Sequence, residues 1–302
     1  MFSSLGVSKT SPERATKFMK IPKRRKIRLT FSSKAFNKKS FAASAATALE
    51  KGWGQIGVEP YHPFIPVNRL AGYGFSVRLC CPCTGESIHC HSLGEANWNR
   101  IHPWTTGHKR LFTQVAIPRQ ASQRIAKELG IIHPTYPDRT PVVMTTDAVH
   151  LCLVDGVHIF TAYSVKLKPQ GLKQRKLDLL AIEKRYYEEL GIPWYLKFRY
   201  DADQTILGNI RFVESFVGAS PLIWGSTDWK RYEDAIYAGV ASGIPLNAAC
   251  WSAEKALDMP QNSALTLARF FIANRIWDID WKVAINPTKP LVVLQRHEGT
   301  EL

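Results

Sequence analysis

The sequence predicts an α/β fold followed by a smaller, mostly helical second domain, and three observations carry that expectation. Between residues 119 and 196 a helical pattern, two β-rich runs, a second helical pattern and a short apolar run follow one another. That order lays helices against a sheet. The two β-rich runs, 142–154 and 157–167, flank Asp155-Gly156, a dipeptide suited to the positive-φ positions of a two-residue hairpin turn. Beyond residue 218 the pattern changes to three helical segments and two short β-rich runs.

Residues 1–50 read as a basic arm. The first 40 residues hold twelve Lys or Arg against one acid, Glu13, while the whole chain carries a formal charge of +15. The run Lys23-Arg24-Arg25-Lys26-Ile27-Arg28 repels itself and cannot nucleate a core. A polyanion such as DNA is the natural partner of such a segment, because each phosphate contact releases counterions; a solubility or localisation tail is the competing reading. Residues 42–51, rich in Ala, form a short helix.

Residues 51–217 form the α/β domain. The segment 119–130 has helical spacing and ends in Gly130, and 172–190 is a long helical pattern closed by Gly191 and Pro193. Trp194-Tyr195-Leu196 then reads as a buried strand. Residues 218–302 are set apart by charge, with eight Lys or Arg against nine acids. Helices at about 228–242, 246–257 and 263–274 precede β-rich runs at 276–281 and 291–294, the order of a winged helix. Its third helix is mostly apolar, so a protein-docking role is expected here rather than DNA reading.

With 45% apolar residues the chain can bury one core or two. No run of 18 or more uncharged apolar residues occurs, so no membrane span is expected. The N-terminus lacks an apolar secretory core, although its basic, Ser-rich character also suits a mitochondrial-type presequence. Six Cys in 302 residues do not make a disulfide scaffold, and a reducing cytoplasm is the expected compartment.

Chemistry concentrates on the predicted hairpin. Asp147 lies on its first arm and Lys166 ends the second. Phosphodiester hydrolysis needs a divalent cation on hard oxygen ligands and a polarised water; a carboxylate supplies the first and a nearby ammonium assists the second. This is the logic of the acid-and-lysine nuclease site of the restriction-endonuclease-like fold, although acid-to-Lys pairs on hairpin rims are common. Ser164, two positions before Lys166, stands where most such enzymes carry a second acid. Glu95, in a helix predicted around His91–Trp98, can supply it; Glu183, within an apolar helical stripe, is a further candidate unless paired with a basic residue. Cys80, Cys81, Cys83, His89, Cys90 and His91 could hold zinc, but the spacing is not that of a paired knuckle. His102, His108, His133 and His158 have no ligand spacing.

Several segments together carry a family resemblance. They are Pro141-Val142-Val143-Met144-Thr145-Thr146-Asp147, Tyr163-Ser164-Val165-Lys166, Leu180-Ala181-Ile182-Glu183-Lys184-Arg185-Tyr186-Tyr187, Gly191-Ile192-Pro193-Trp194, Lys127-Glu128-Leu129-Gly130-Ile131 and His91-Ser92-Leu93-Gly94-Glu95. The chain resembles the TnsA family, closely over about residues 87–215 and loosely over the last 85. The resemblance implies a catalytic Glu95, Asp147 and Lys166, with Glu95 and Asp147 holding Mg²⁺ or Mn²⁺. Gln114 falls where the family has a Gln. Ser164 stands where it often has Gln, and Phe112-Thr113 where it usually has Arg-Glu. It further implies an endonuclease that cuts one strand of double-stranded DNA at each transposon end, with a DDE transposase (TnsB-like) cutting the other and an AAA+ ATPase (TnsC-like) as regulator. A bacterial cytoplasmic location follows, nucleoid-associated when on DNA. A free-standing nuclease or junction resolvase, or a non-catalytic DNA-binding adaptor, are the competing readings.

Overall fold

The Asp155-Gly156 turn organises the first half of the chain. In the computed structural model, which describes residues 41–69, 75–105, 107–218 and 229–297, Asp155 and Gly156 have φ of 49° and 77°. Positive φ at both central positions joins strands whose twist matches the turn. Residues 1–40 of the expected arm, 1–50, lie outside the described residues, whereas Phe41–Glu50 form a helix whose Ala45 and Ala48 are buried with Trp53, Phe64 and Val143 and so belong to the folded unit. The chain divides into two units: residues 1–81 with 86–201, and 202–302 with 82–85.

The first unit is mixed α/β. Its elements are helix α1 (Phe41–Glu50), strands β1 (Val77–Cys80) and β2 (Ser87–Cys90), helix α2 (Leu93–Ile101), strand β3 (His108–Ala116), helix α3 (Arg119–Glu128), strands β4 (Thr145–Val154) and β5 (Val157–Lys166), helix α4 (Gln174–Glu189) and strand β6 (Trp194–Phe198). The central sheet has the order β3-β4-β5-β6; β6 runs parallel to β5, and the other neighbours are antiparallel. Parallel return from β5 to β6 requires a crossover, and α4 supplies it. Alternation along β4 sends adjacent residues to opposite faces. Ala148 joins Cys81, Ile88, Cys90, Ala96 and Leu111 on the α2 side, whereas Val149 joins Phe112, Val115, Ala162 and Tyr187 on the α4 side. Helices α3 and α4 meet through Ile125, Ala126 and Ile182. Gly130 and Gly191 end them with φ of 66° and 68°, as their sequence positions predict.

Three features depart from what the sequence predicts. Strand β3 carries no clear signal: its first residues are His108, Lys109 and Arg110, and Leu111–Val115 are buried without polar alternation. The β1–β2 hairpin is likewise additional to the predicted elements. Trp194-Tyr195-Leu196 is a strand, but it extends to Phe198 and is only partly buried, with Tyr195 47% exposed, because β6 is an edge strand.

The second unit begins with helix α5 (Gln204–Val213), which the sequence pattern does not predict. Asp203 caps it, its carboxylate accepting from the N–H groups of Thr205 and Ile206. Helices α6 (Trp229–Ala241), α7 (Leu246–Ala256) and α8 (Ser263–Ala273) follow, then strands β7 (Trp277–Ile279) and β8 (Val293–Arg296), which pair antiparallel. The Asn209 side chain on α5 donates to the carbonyls of Trp281 and Val283 and accepts from Ile285 N–H. Helix α8 corrects one expectation. Ala264, Leu267, Ala268, Phe270, Phe271, Ile272 and Ala273 are all buried and only Leu265 is partly exposed, so the apolar side chains of this helix are mostly core. Among the described residues no helix is long and apolar enough to cross a membrane.

Candidate active site

Helix α2 starts on a side-chain network. Ser92, in extended conformation, is the N-cap, and its hydroxyl oxygen accepts from Glu95 N–H at 3.1 Å. The same hydroxyl donates to Glu95 Oε1 at 2.9 Å, and His91 N–H donates to Glu95 Oε2 at 2.9 Å. This resembles a capping box with the acid at the third helical position, but the acid accepts from the N–H of the residue before the cap; Ser92 satisfies the Glu95 N–H, one of those that the first turn leaves open. Gly94 lets the helix lie close: a Cβ there would stand 3.1 Å from Val165 Cγ1 and 3.2 Å from Arg199 Cβ. Gln114 Nε2 donates to Glu95 Oε2 at 3.3 Å while its Oε1 accepts from Thr145 Oγ1 at 3.2 Å. Gln114 holds this position with φ of 55°, a left-handed conformation costly for a side chain with a Cβ.

The hairpin brings the second group. Asp147 Oδ2 accepts from Val165 N–H at 2.7 Å and from Lys166 Nζ at 3.1 Å. Lys166 Nζ also donates to the Val165 carbonyl at 3.0 Å. Both side chains keep a solvent-facing part, 26% for Lys166 and 17% for Asp147.

Beneath the hairpin lies Glu183, buried on α4. Its direct hydrogen-bond donors are neutral: Ser164 Oγ–H at 2.8 Å and Trp194 Nε1–H at 3.0 Å. Pairing with a basic residue, the alternative weighed from sequence, takes only the form of a longer-range attraction to Lys166. Ser164 is therefore engaged as a donor to Glu183, which locates the acid that the sequence lacks at position 164 one layer deeper.

Charge ties these groups into one site. Burial first, and then the Asp147 carboxylate, push the Glu95 carboxyl up to about 7, against the opposing His91 and Ser92 hydrogen bonds and Lys166. The Glu183 carboxyl is likewise pushed up to about 7 by burial and by Asp147. Burial alone would lower the Lys166 pKa; the charges of Asp147, Glu183 and Glu95 and the Asp147 hydrogen bond outweigh it and raise it. Carboxyls whose pKa is raised by burial and by a neighbouring carboxylate are the kind of oxygen donor that a hard divalent cation relieves. His91 Nε2, buried without a hydrogen-bond partner, is a further unspent polar atom next to Glu95, and His91 feels Asp147. Among the described residues no group of three or more His, Cys, Asp or Glu is arranged to hold a metal ion; Glu95 and Asp147 are the two carboxyls whose mutual charge such an ion would relieve.

The fold thus brings Glu95, Asp147 and Lys166 together, although successive members stand 52 and 19 positions apart in the chain. The Cys and His residues at 80–91 do not converge. Cys80 and Cys83 are exposed, Cys81 contacts His108, His89 accepts from Val67 N–H, and Cys90 accepts from Asn99. His102 is packed beside Tyr163 and His150, His108 shares a hydrogen bond with His150 at 2.7 Å, His133 bonds Ser122, and His158 is exposed. His150 is not signalled by the sequence; its place on a buried strand face gives no spacing pattern.

The geometry defines a mixed α/β unit in which Asp147 and Lys166 of one hairpin interact both with Glu95 at the N-terminus of α2 and with Glu183 on α4. The chain is similar to the transposon Tn7 transposition protein TnsA of Escherichia coli, with 27% identity over 172 residues, which cover 56% of this chain and 62% of that protein. The chain thus matches less than two thirds of the length of this relative. No protein-family model matches the chain.

Proposed function

We propose that the chain is a divalent-metal-dependent DNA endonuclease of the restriction-endonuclease-like fold, acting in DNA transposition. The observation that carries this reading is the Asp147–Lys166 contact at 3.1 Å, with the Glu95 carboxyl raised to about 7 by burial and the Asp147 charge. The similarity to the Tn7 protein supports transposon ends in double-stranded DNA as the substrate.

Glu95 and Asp147 would hold Mg²⁺ or Mn²⁺. The ion would polarise a phosphate oxygen and offset developing charge. Asp147 keeps Lys166 in place through Oδ2, and Val165 fixes Asp147 in turn through its N–H. With its pKa raised, Lys166 remains an ammonium at neutral pH. Its role is therefore to orient the attacking water and stabilise charge on the scissile phosphate, not to abstract a proton. Ser164 and Trp194 hold Glu183 in place behind the hairpin. Gln114 fixes the Glu95 oxygen that does not face Ser92.

In the same proposal, the basic residues 1–40 track the DNA backbone, the first unit up to residue 201 performs cleavage, and the winged-helix-like second unit, which starts at residue 202 and not at the expected 218, docks onto protein partners. Those partners are a DDE transposase resembling TnsB and an AAA+ ATPase resembling TnsC, in a bacterial cytoplasm and at the nucleoid. Exposed apolar side chains in the second unit, Trp251, Val283, Val292 and Leu294, replace helix α8 as the docking candidates.

The test is single-strand cleavage of a transposon-end duplex with the partner subunits present. Asp147→Ala and Lys166→Ala should each lower cleavage by at least about a hundredfold, the scale of losing one transition-state charge contact. Lys166→Ala should retain Mg²⁺ binding, and Asp147→Ala should lose it while both bind DNA normally. Cleavage that survives Asp147→Ala would leave the adaptor reading standing.

A further inference from the structure

Strand β6 closes one edge of the central sheet, and its C-terminal end lies beside the candidate active site. In register, Lys197 pairs with Val165, and Phe198 pairs with Lys166. The Phe198 carbonyl accepts from Trp98 Nε1 on α2 at 2.9 Å. Arg199 follows, and its Cβ would stand 3.2 Å from a Cβ built on Gly94, the residue before Glu95.

Two cations stand on this edge with their donors unspent. Lys197 and Arg199 are both partly exposed, and among the described residues neither side chain has a hydrogen bond or an ion pair. Aromatic rings hold them instead. Lys197 Nζ lies 4.8 Å from the Trp98 ring centroid, 5.4 Å from that of Tyr195 and 5.7 Å from that of Tyr163. The Arg199 guanidinium carbon lies 5.4 Å from the Tyr200 ring. A ring face attracts a cation without using up its N–H groups, so the charge is positioned while its donors stay available. Burial lowers the Lys197 pKa against a longer-range pull from Asp201. An anion brought to such a partly desolvated cation gains more than at a fully solvated one. Lys197 and Arg199 are two positions apart and held by different rings, so each takes its own anionic group. That is the demand of a phosphodiester backbone rather than of a single carboxylate.

We propose that the end of β6 grips the DNA backbone next to the scissile phosphate, with Lys197 and Arg199 each taking one phosphate. This rests on the nuclease reading of the first unit and adds to it the surface that seats the substrate.

The probe is a pair of DNA duplexes of unrelated sequence, bound by the full chain in EDTA, so that no cleavage enters the measurement. Log K is followed against log salt for the parent, Lys197→Gln, Arg199→Gln and the double variant. Each single change should reduce the slope by about 0.9 and the double by about 1.8, alike on both duplexes, which is the counterion release of one and two phosphate contacts. The charge-keeping changes Lys197→Arg and Arg199→Lys should retain the parental slope. Lys184→Gln removes one charge from the exposed side of α4 and should leave the slope unchanged. A slope that the double variant does not alter would overturn the proposal and leave the two cations as guards of an open sheet edge. A Lys184→Gln effect as large as theirs would also overturn it, because net charge alone would then set the slope. Cleavage by Asp147→Ala is assayed with Mg²⁺ and the slope without metal, so the nuclease reading and this one can each fail alone.

Discussion

Replacing Glu95 with Gln isolates the electrostatic stress at the candidate site. The folded chain holds the Glu95 proton up to about 7, whereas the unfolded chain releases it near 4.5. Between those values the folded state binds more protons, so this group's contribution is most favourable below pH 4.5 and is lost as pH rises to about 7. A tenfold change in proton affinity is worth about 1.4 kcal/mol, so the full loss is about 3 kcal/mol. Gln keeps a carbonyl oxygen for only one of the His91 and Ser92 donors, a loss that does not vary with pH, and it does not titrate. In EDTA, the stability of Glu95→Gln relative to the parent should therefore rise by up to about 3 kcal/mol between pH 4.5 and pH 8. For a unit of this size that corresponds to roughly 6–12 °C in Tm. Calorimetric scans of both proteins at several pH values measure it. Adding Mg²⁺ at pH 8 should then raise the Tm of the parent more than that of the variant. A Tm difference that stays constant across pH would refute the argument, because it would mean that the Glu95 carboxyl titrates alike in folded and unfolded chains.

Other outcomes can be checked with simpler variants. Ser164→Ala removes a donor from the buried Glu183 and should destabilise the chain by about 1–3 kcal/mol, measured by urea denaturation. A fragment starting at residue 202 should unfold cooperatively, whereas one starting at 218 should lose its sharp calorimetric transition, because it lacks α5 and the Asn209 bonds to Trp281, Val283 and Ile285. Deleting residues 1–40 should weaken DNA binding and flatten the slope of log K against log salt, as a segment with twelve cations implies. An unchanged slope would remove that segment from DNA binding.

What is legible in the sequence follows the strength of local signals. Asp155-Gly156 and the two closing glycines, 130 and 191, have few competing conformations, and the hairpin and helix ends stand where those residues put them. Asp147 and Lys166 are legible because a hairpin with a fixed turn brings its arms together. Glu95 needs the family resemblance as well as the Ser92 capping position, since nothing in its local pattern reports proximity to β4 and β5. Strand β3 escapes notice because its three leading residues are charged or polar and its buried centre has no period. Helix α5 is hidden because Gly208 interrupts a helical pattern and its stabilising partner, Asn209, bonds more than 70 positions away. The depth of Glu183 and the dispersal of the cysteines are tertiary facts. A residue's spacing says which face it shares, not which other element covers that face.

The backbone at Gln114 has an evolutionary consequence. A φ of 55° is free for Gly and costs other residues on the order of 1 kcal/mol or more. Gln114→Gly would relax the strand and, by that measure alone, yield a sturdier protein. The same change deletes the amide that joins Glu95 to Thr145. Selection for thermal robustness and selection for an ordered acid therefore pull in opposite directions at a single codon, as they do wherever stability and activity trade off. Screens for stabilised variants should recover glycine here only when cleavage is not part of the selection.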